Sequence, residues 1–216
     1  MFAILTAGIA PAFALMSFFY LKDKYTEPFA LILKTFFMGA LLVFPIMFIQ
    51  YGFQTEIHIS MFVKSFFVAA FSEEFFKWFI FIYVIYHHTE FDAHYDGIVY
   101  AVAISLGFAT IENILYLFVH GIHYAFSRAL FPVSLHALFG VLMGYYFGKA
   151  KMYRKNRNWN IFFAFLFPFL LHGVYNYIIG TVSSNLFLPL IPFMIILWIV
   201  CLKRVKHAAS KNVDVI

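Results

Sequence analysis

Glu73 and Glu74 stand side by side in MFVKSFFVAAFSEEFFKWFIFIYVIY (61–86), a run otherwise apolar enough to cross a membrane. One charged side chain at bilayer depth costs about 2.5–3.5 kcal/mol on insertion scales, so such groups mark functional positions by default. Lys77 follows one turn later. Glu112 and Asn113, His136, and His172 and Asn176 fall inside further apolar runs. A carboxylate and an imidazole in a poorly solvated pocket can activate water, because a carboxylate removed from water is a stronger base. A second histidine or an asparagine can donate to the oxyanion of a tetrahedral intermediate. Those roles describe amide hydrolysis. The same side chains could relay protons or hold a cation, as in a transporter, and spacing alone leaves both open.

Taken singly, each residue has a plainer reading. Glu73 and Lys77, four apart on a helix, can be a neutralised structural pair. That pairing predicts Glu73 as the ionised, engaged member and Glu74, about 100° round the helix, as the freer one. A lone membrane histidine such as His136 can simply bridge helices, and Asn113 and Asn176 can be interhelical glue. Gly140, Gly144 and Gly148 form a small-residue stripe suited to close helix packing near His136.

The elements that must position these residues follow from composition. The chain is 64% hydrophobic and only 12% charged, with 32 phenylalanines, too apolar for a soluble domain of 216 residues. Runs of about 20 apolar residues predict an all-α polytopic membrane protein, a bundle of about seven transmembrane helices. The spans read 2–21, 29–50, 61–86, 98–119, 129–148, 161–179 and 186–202, in a single domain over 1–216. Unbroken runs of this length exclude a β-barrel. The N-terminal run lacks a preceding basic residue and reads as a retained helix, not a cleaved signal. A single cysteine, Cys201, excludes disulfides and Cys-based metal sites. The basic stretches KAKMYRKNRN (149–158), KRVK (203–206) and Lys22 with Lys24 all fall on one side of a seven-span bundle. Short basic loops face the cytoplasm, which places the N-terminus outside and the C-terminus inside. The opposite loops carry only Arg128. The net charge of +5 is then a topology signal with added contact to anionic lipid, and nucleic-acid binding is excluded for want of a basic binding fold. The loop HHTEFDAHYDG (87–97) holds His87, His88, Asp92, His94 and Asp96, but matches no metal spacing and reads as a solvated loop.

Depth unites the candidates. At about 1.5 Å per residue, Glu112, His136 and His172 each lie about 10 Å from the outer end of their span, and Glu73 about 14–18 Å. Four helices thus present ionisable groups at a similar level in the outer half of the bilayer.

EEFFK (73–77), GFATIEN (107–113), His136 within PVSLHALFG, and HGVYN (172–176) together resemble the ordered motifs of the PrsW family of membrane-embedded proteases. That family is related to the CAAX-processing and bacteriocin-immunity membrane proteases. The likeness covers nearly the whole chain, including FPIMFIQY (44–51) and HYDGIVY (94–100). It implies an endopeptidase of the bacterial cell membrane that makes the first, extracytoplasmic cut in a single-pass anti-sigma factor. A second intramembrane protease then cuts the remnant, and the freed sigma factor answers envelope stress and antimicrobial peptides. The family's essential residues carry over onto Glu73, Glu74 and His172, with Glu112 and His136 at motif positions and Asn176 where some relatives have Asp. A metal stays open: His136, His172 and Glu112 are a feasible zinc set, yet there is no H-E-x-x-H, and the related prenyl-protein proteases work with Glu and His alone. A CAAX-type prenyl-protein endopeptidase and a proton or cation transporter are the alternatives.

Overall fold

The computed structural model describes residues 1–24, 26–56 and 59–211. Its seven helices are α1 (Phe2–Tyr20), α2 (Phe29–Glu56), α3 (61–86), α4 (Asp96–His120), α5 (Ile122–Met152), α6 (Arg157–Thr181) and α7 (Phe187–Lys211). Six are long and apolar enough to cross a membrane. The other, α3, has the length but carries Lys64, Glu73, Glu74 and Lys77. Outward faces confirm the setting. On α2, Phe37, Leu41, Phe44 and Phe48 form an exposed apolar stripe, while Val43 and Ile46 are wholly buried on the other face. Such a stripe suits lipid and is untenable in water at this extent.

α4 is the central post. Residues 96–110 are buried all round, in contact with α1, α2 and α5. Two close crossings fix it. Gly39 of α2 lies on the Ile104 carbonyl while Gly107 of α4 lies on the Phe36 carbonyl. Gly97 and Gly144 meet the same way between α4 and α5, and a methyl group at any of the four would sink into backbone. The expected stripe on α5 thus packs on α4, with Gly140 against Ala101 and Val102 and Gly148 against His94. Backbones this close are how helices associate where lipid removes the hydrophobic drive.

α3 packs differently, through aromatic rings on α6: Phe71 with Phe165 at 5.6 Å and Phe66 with Phe169 at 6.2 Å. The Trp78 indole N–H donates to the Ile161 carbonyl at 2.9 Å and sets the height of one helix against the other. α3 is not uniform. Wide π turns over Lys64–Phe71 and Ile82–Tyr86 flank a regular α stretch, Ser72–Phe81, which holds the two glutamates. Such turns are uncommon and recur at functional sites.

The loop 87–97 corrects an expectation. His94 and Asp96 are buried, not solvated, because the loop folds under the end of α4 instead of extending into water. Burial pushes His94 down to about 4, so it is neutral near pH 7, and its Nε2 meets the Tyr145 carbonyl at 3.0 Å.

Candidate active site

Ser72–Phe81 turns both carboxylates inward, Glu74 with no exposure and Glu73 at the edge of burial. Lys77, wholly buried on the same face, closes the group. Its Nζ lies 2.8 Å from Glu74 Oε1 but 3.8 Å from Glu73 Oε2. The pairing expected between Lys77 and Glu73 is therefore reversed: the ammonium leans back three residues, where His136 can share it. Lys77 Nζ donates to His136 Nδ1 at 3.0 Å and sits 4.4 Å over the Phe108 ring.

Both histidines follow a proline by one turn, His136 after Pro132 and His172 after Pro168. A proline removes the backbone donor to the carbonyl four residues earlier and loosens the turn before it. In α5 it coincides with a π turn, Ala129–Val133, that sets the angle at which His136 enters. The rings meet nearly edge to face, 5.3 Å apart.

Partners decide which ring nitrogen carries each proton. An ammonium only donates, so His136 Nδ1 accepts, and its Nε2–H donates to Glu112 Oε2 at 3.1 Å. A carboxylate only accepts, so His172 Nδ1–H donates to Glu74 Oε1 at 2.9 Å and its Nε2 keeps a lone pair. Both Nε2 atoms look onto Glu73 Oε2, at 4.0 Å from His136 and 3.9 Å from His172. That oxygen is buried and has no hydrogen-bond partner.

Two cavities meet at this point. One, of about 330 Å³, opens between α3, α5 and α6, with Lys64, Arg128 and Asn176 in its wall. The other, of about 270 Å³, lies between α2 and α4 and is mainly apolar, with Val43, Ile46 and Leu115. Glu73 and Glu112 line both. His136 and His172 face the first.

The structure thus brings Glu73, Glu74, Lys77, His136 and His172 into one cluster, with Glu112 attached through His136 and Asn176 in the cavity wall. Asn113 is elsewhere: its Nδ2 donates to the Gly8 carbonyl at 3.1 Å, tying α4 to α1. Two residues escaped the sequence reading. Arg128, counted as a loop charge, is buried, ion-paired with Glu112 at 3.2 Å, donating to Asn113 Oδ1 at 2.8 Å and lying 4.0 Å over the Tyr116 ring. Gln50 donates from Nε2 to Glu73 Oε1 at 3.1 Å. Its signal was an amide at the end of an apolar run, the pattern that flagged Asn113 and Asn176.

The cluster has the donors for a metal. One ligand atom from each of Glu73, Glu74, His136 and His172 lies within 4.8 Å of the others, and Glu112 is outside that group. Two imidazoles with one carboxylate suit a zinc ion with an open position, and a fourth donor remains for proton transfer. Glu74 Oε2, buried without a partner, fits the ligand role. Loading would cost the Lys77–His136 hydrogen bond, because a ring ligated through one nitrogen carries its proton on the other.

Comparison with known proteins points the same way. Residues 27–202 match the sequence pattern described as PrsW family intramembrane metalloprotease. The chain is 59% identical to Protease PrsW of Oceanobacillus iheyensis over 214 residues, covering 99% of each chain. It is 52% identical to Protease PrsW of Bacillus subtilis over 215 residues, 98% of each, and 34% identical to that of Clostridioides difficile over 196 residues, 86% of this chain and 82% of that one. No solved structure matches the chain significantly.

Proposed function

This chain belongs to the PrsW family of intramembrane metalloproteases, and from that premise we propose that it makes the first cut in a membrane-anchored anti-sigma factor, on the extracytoplasmic side. It is a peptidase of a bacterial membrane, and family membership decides for hydrolysis over ion transport. The observation that carries the finer reading is Glu73 Oε2, an unpartnered carboxylate oxygen facing two imidazole nitrogens where two cavities join. The basic loops support an outside N-terminus and a cytoplasmic C-terminus, an orientation that would give the cluster to the outer leaflet. The whole chain then acts as one transmembrane protease domain.

Glu73 takes the proton of the attacking water. His172 Nε2, with its lone pair held toward the cavity by Glu74, accepts a hydrogen bond from that water and orients it. His136 Nε2–H is the donor within reach of the developing oxyanion, handed over from Glu112 as charge appears on the carbonyl oxygen. Arg128 keeps Glu112 in place, and Lys77 neutralises Glu74 so that the pair of adjacent acids can coexist in a dry site. In a metal-loaded site His136, His172 and Glu74 would hold a zinc ion in place of these hydrogen bonds, and when bound it would supply Lewis-acid polarisation of the scissile carbonyl. Once the first cut is made, a second intramembrane protease processes the membrane remnant.

The test is co-expression with a candidate single-pass anti-sigma factor carrying a tag on each side of the membrane. A clipped extracytoplasmic fragment with the wild type, and none with Glu73→Gln, supports the reading. Equal clipping by the variant, or a cut on the cytoplasmic side, removes it.

A further inference from the structure

A second buried group of ionisable side chains lies away from the protease cluster. Asp23 follows α1, Glu27 precedes α2, and Asp96 is the first residue of α4, sixteen positions or about 24 Å along the helix from Glu112. All three are buried, Asp96 completely. One carboxylate oxygen from each lies within 4.8 Å of the other two. Asp96 Oδ2 accepts from the backbone N–H groups of Asp92 at 3.0 Å and Ala93 at 2.5 Å, while Asp96 Oδ1 has no partner. Tyr100 donates its hydroxyl to Glu27 Oε2. Among the described residues no lysine, arginine or histidine forms an ion pair with Glu27 or Asp96.

We infer that Asp23, Glu27 and Asp96 form a second cation site, for one hard divalent ion, at the end of the bundle away from the protease cluster. The alternative neutraliser is a proton. Burial pushes the Glu27 carboxyl up to about 8, against the Tyr100 hydrogen bond, and Asp96 and Asp23 press the same way. A proton can settle one acid or be shared by two; three converging oxygens and an unpartnered Asp96 Oδ1 call for a ligand with more than one bond to give. All the donors are oxygens, the set that selects magnesium, manganese or calcium over softer metals. Joined by an ion, the three acids clamp the α1–α2 connection onto the start of α4.

The experiment uses the full chain in detergent micelles, stripped with chelator and held at pH 8.5, where the Glu27 carboxyl is ionised. Manganese is titrated and read by electron paramagnetic resonance; magnesium and calcium are read by melting temperature. One manganese ion should bind in His172→Ala, which lacks a ligand of the protease cluster, as in the wild type, and Glu27→Gln or Asp96→Asn should weaken it about tenfold or more. A hundredfold excess over Kd should raise the melting temperature by about 5–10 °C. If Asp96→Asn fails to fold, Glu27→Gln carries the comparison. No bound manganese at pH 8.5, or binding lost in His172→Ala and kept in Glu27→Gln, overturns the site; the first result leaves a shared proton and the second leaves only the protease cluster.

Discussion

The two buried ionisable clusters, near opposite ends of α4, are balanced in different ways. Around Glu73 and Glu74 the acids come with bases: Lys77, His136, His172 and, through Glu112, Arg128. Glu27 and Asp96 meet carboxylates, two backbone N–H groups and the Tyr100 hydroxyl. A cluster with internal bases keeps its charge and its geometry when nothing is bound, as a site that must move protons requires. Glu27 and Asp96, with no base ion-paired to them among the described residues, are incomplete until something positive arrives, which suits a structural clamp. The same residue type, a buried glutamate, serves either purpose according to its neighbours.

The largest expected effect separates the clusters by chemistry. Glu73→Gln and Glu74→Gln should each lower the rate of substrate cleavage about 10²–10⁴-fold with the helical circular dichroism unchanged. A cleavage rate within a factor of two of wild type in either variant would erase the distinction drawn here. Next comes stability. Lys77→Met leaves Glu74 buried without its cation and should destabilise the protein by about 3–5 kcal/mol in denaturant or thermal unfolding. Glu27→Gln, in chelated protein at pH 8.5 where the carboxyl is ionised, should do the reverse and raise the melting temperature by about 2–4 °C by removing one of three crowded acids. A smaller effect is expected of Gln50→Ala, which takes a donor from Glu73 Oε1: about a tenfold loss of cleavage rate, from one hydrogen bond to a charged group worth about 1.5 kcal/mol.

The smallest effect concerns pH. In chelated protein the folded Glu27 carboxyl, faced by Asp23, Asp96 and Tyr100, keeps its proton up to about 8, whereas an unfolded glutamate loses it near about 4.3. Between those values the folded state binds more protons, so stability falls as pH rises and levels off above about 8. A melting temperature flat from pH 5 to 8 in chelated protein, or one that still falls when magnesium is saturating, would show that the two clusters do not differ as described.

Much of this was legible in the chain. Long apolar runs set the helices, and intramembrane Glu and His residues set the cluster, because both signals are local and energetically loud. The rest depended on contacts between distant segments. Arg128 looked like a loop charge because nothing nearby in sequence shows that α5 begins early enough to bury it against Glu112 and Asn113. Lys77 looked like the partner of Glu73 because the four-residue rule ignores a third party, and His136 is that third party. Asp96 looked solvated because its acidic, histidine-rich loop resembles a surface loop in composition while its backbone folds inward.

The contrast between the glycine crossings of α4 and the ring contacts of α3 bears on motion. Where Gly39, Gly107, Gly97 and Gly144 place backbone on backbone, helices have no side chains to reorient and cannot part by small steps. Phenylalanine rings such as Phe66, Phe71, Phe165 and Phe169 can swing and re-stack, so α3 and α6 can separate gradually. Opening wide enough to thread a polypeptide therefore falls to that pair, moving against a post that stays still. Backbone amides along 96–110 should be the last in the molecule to exchange with deuterium, and those at the two ends of α3 among the first.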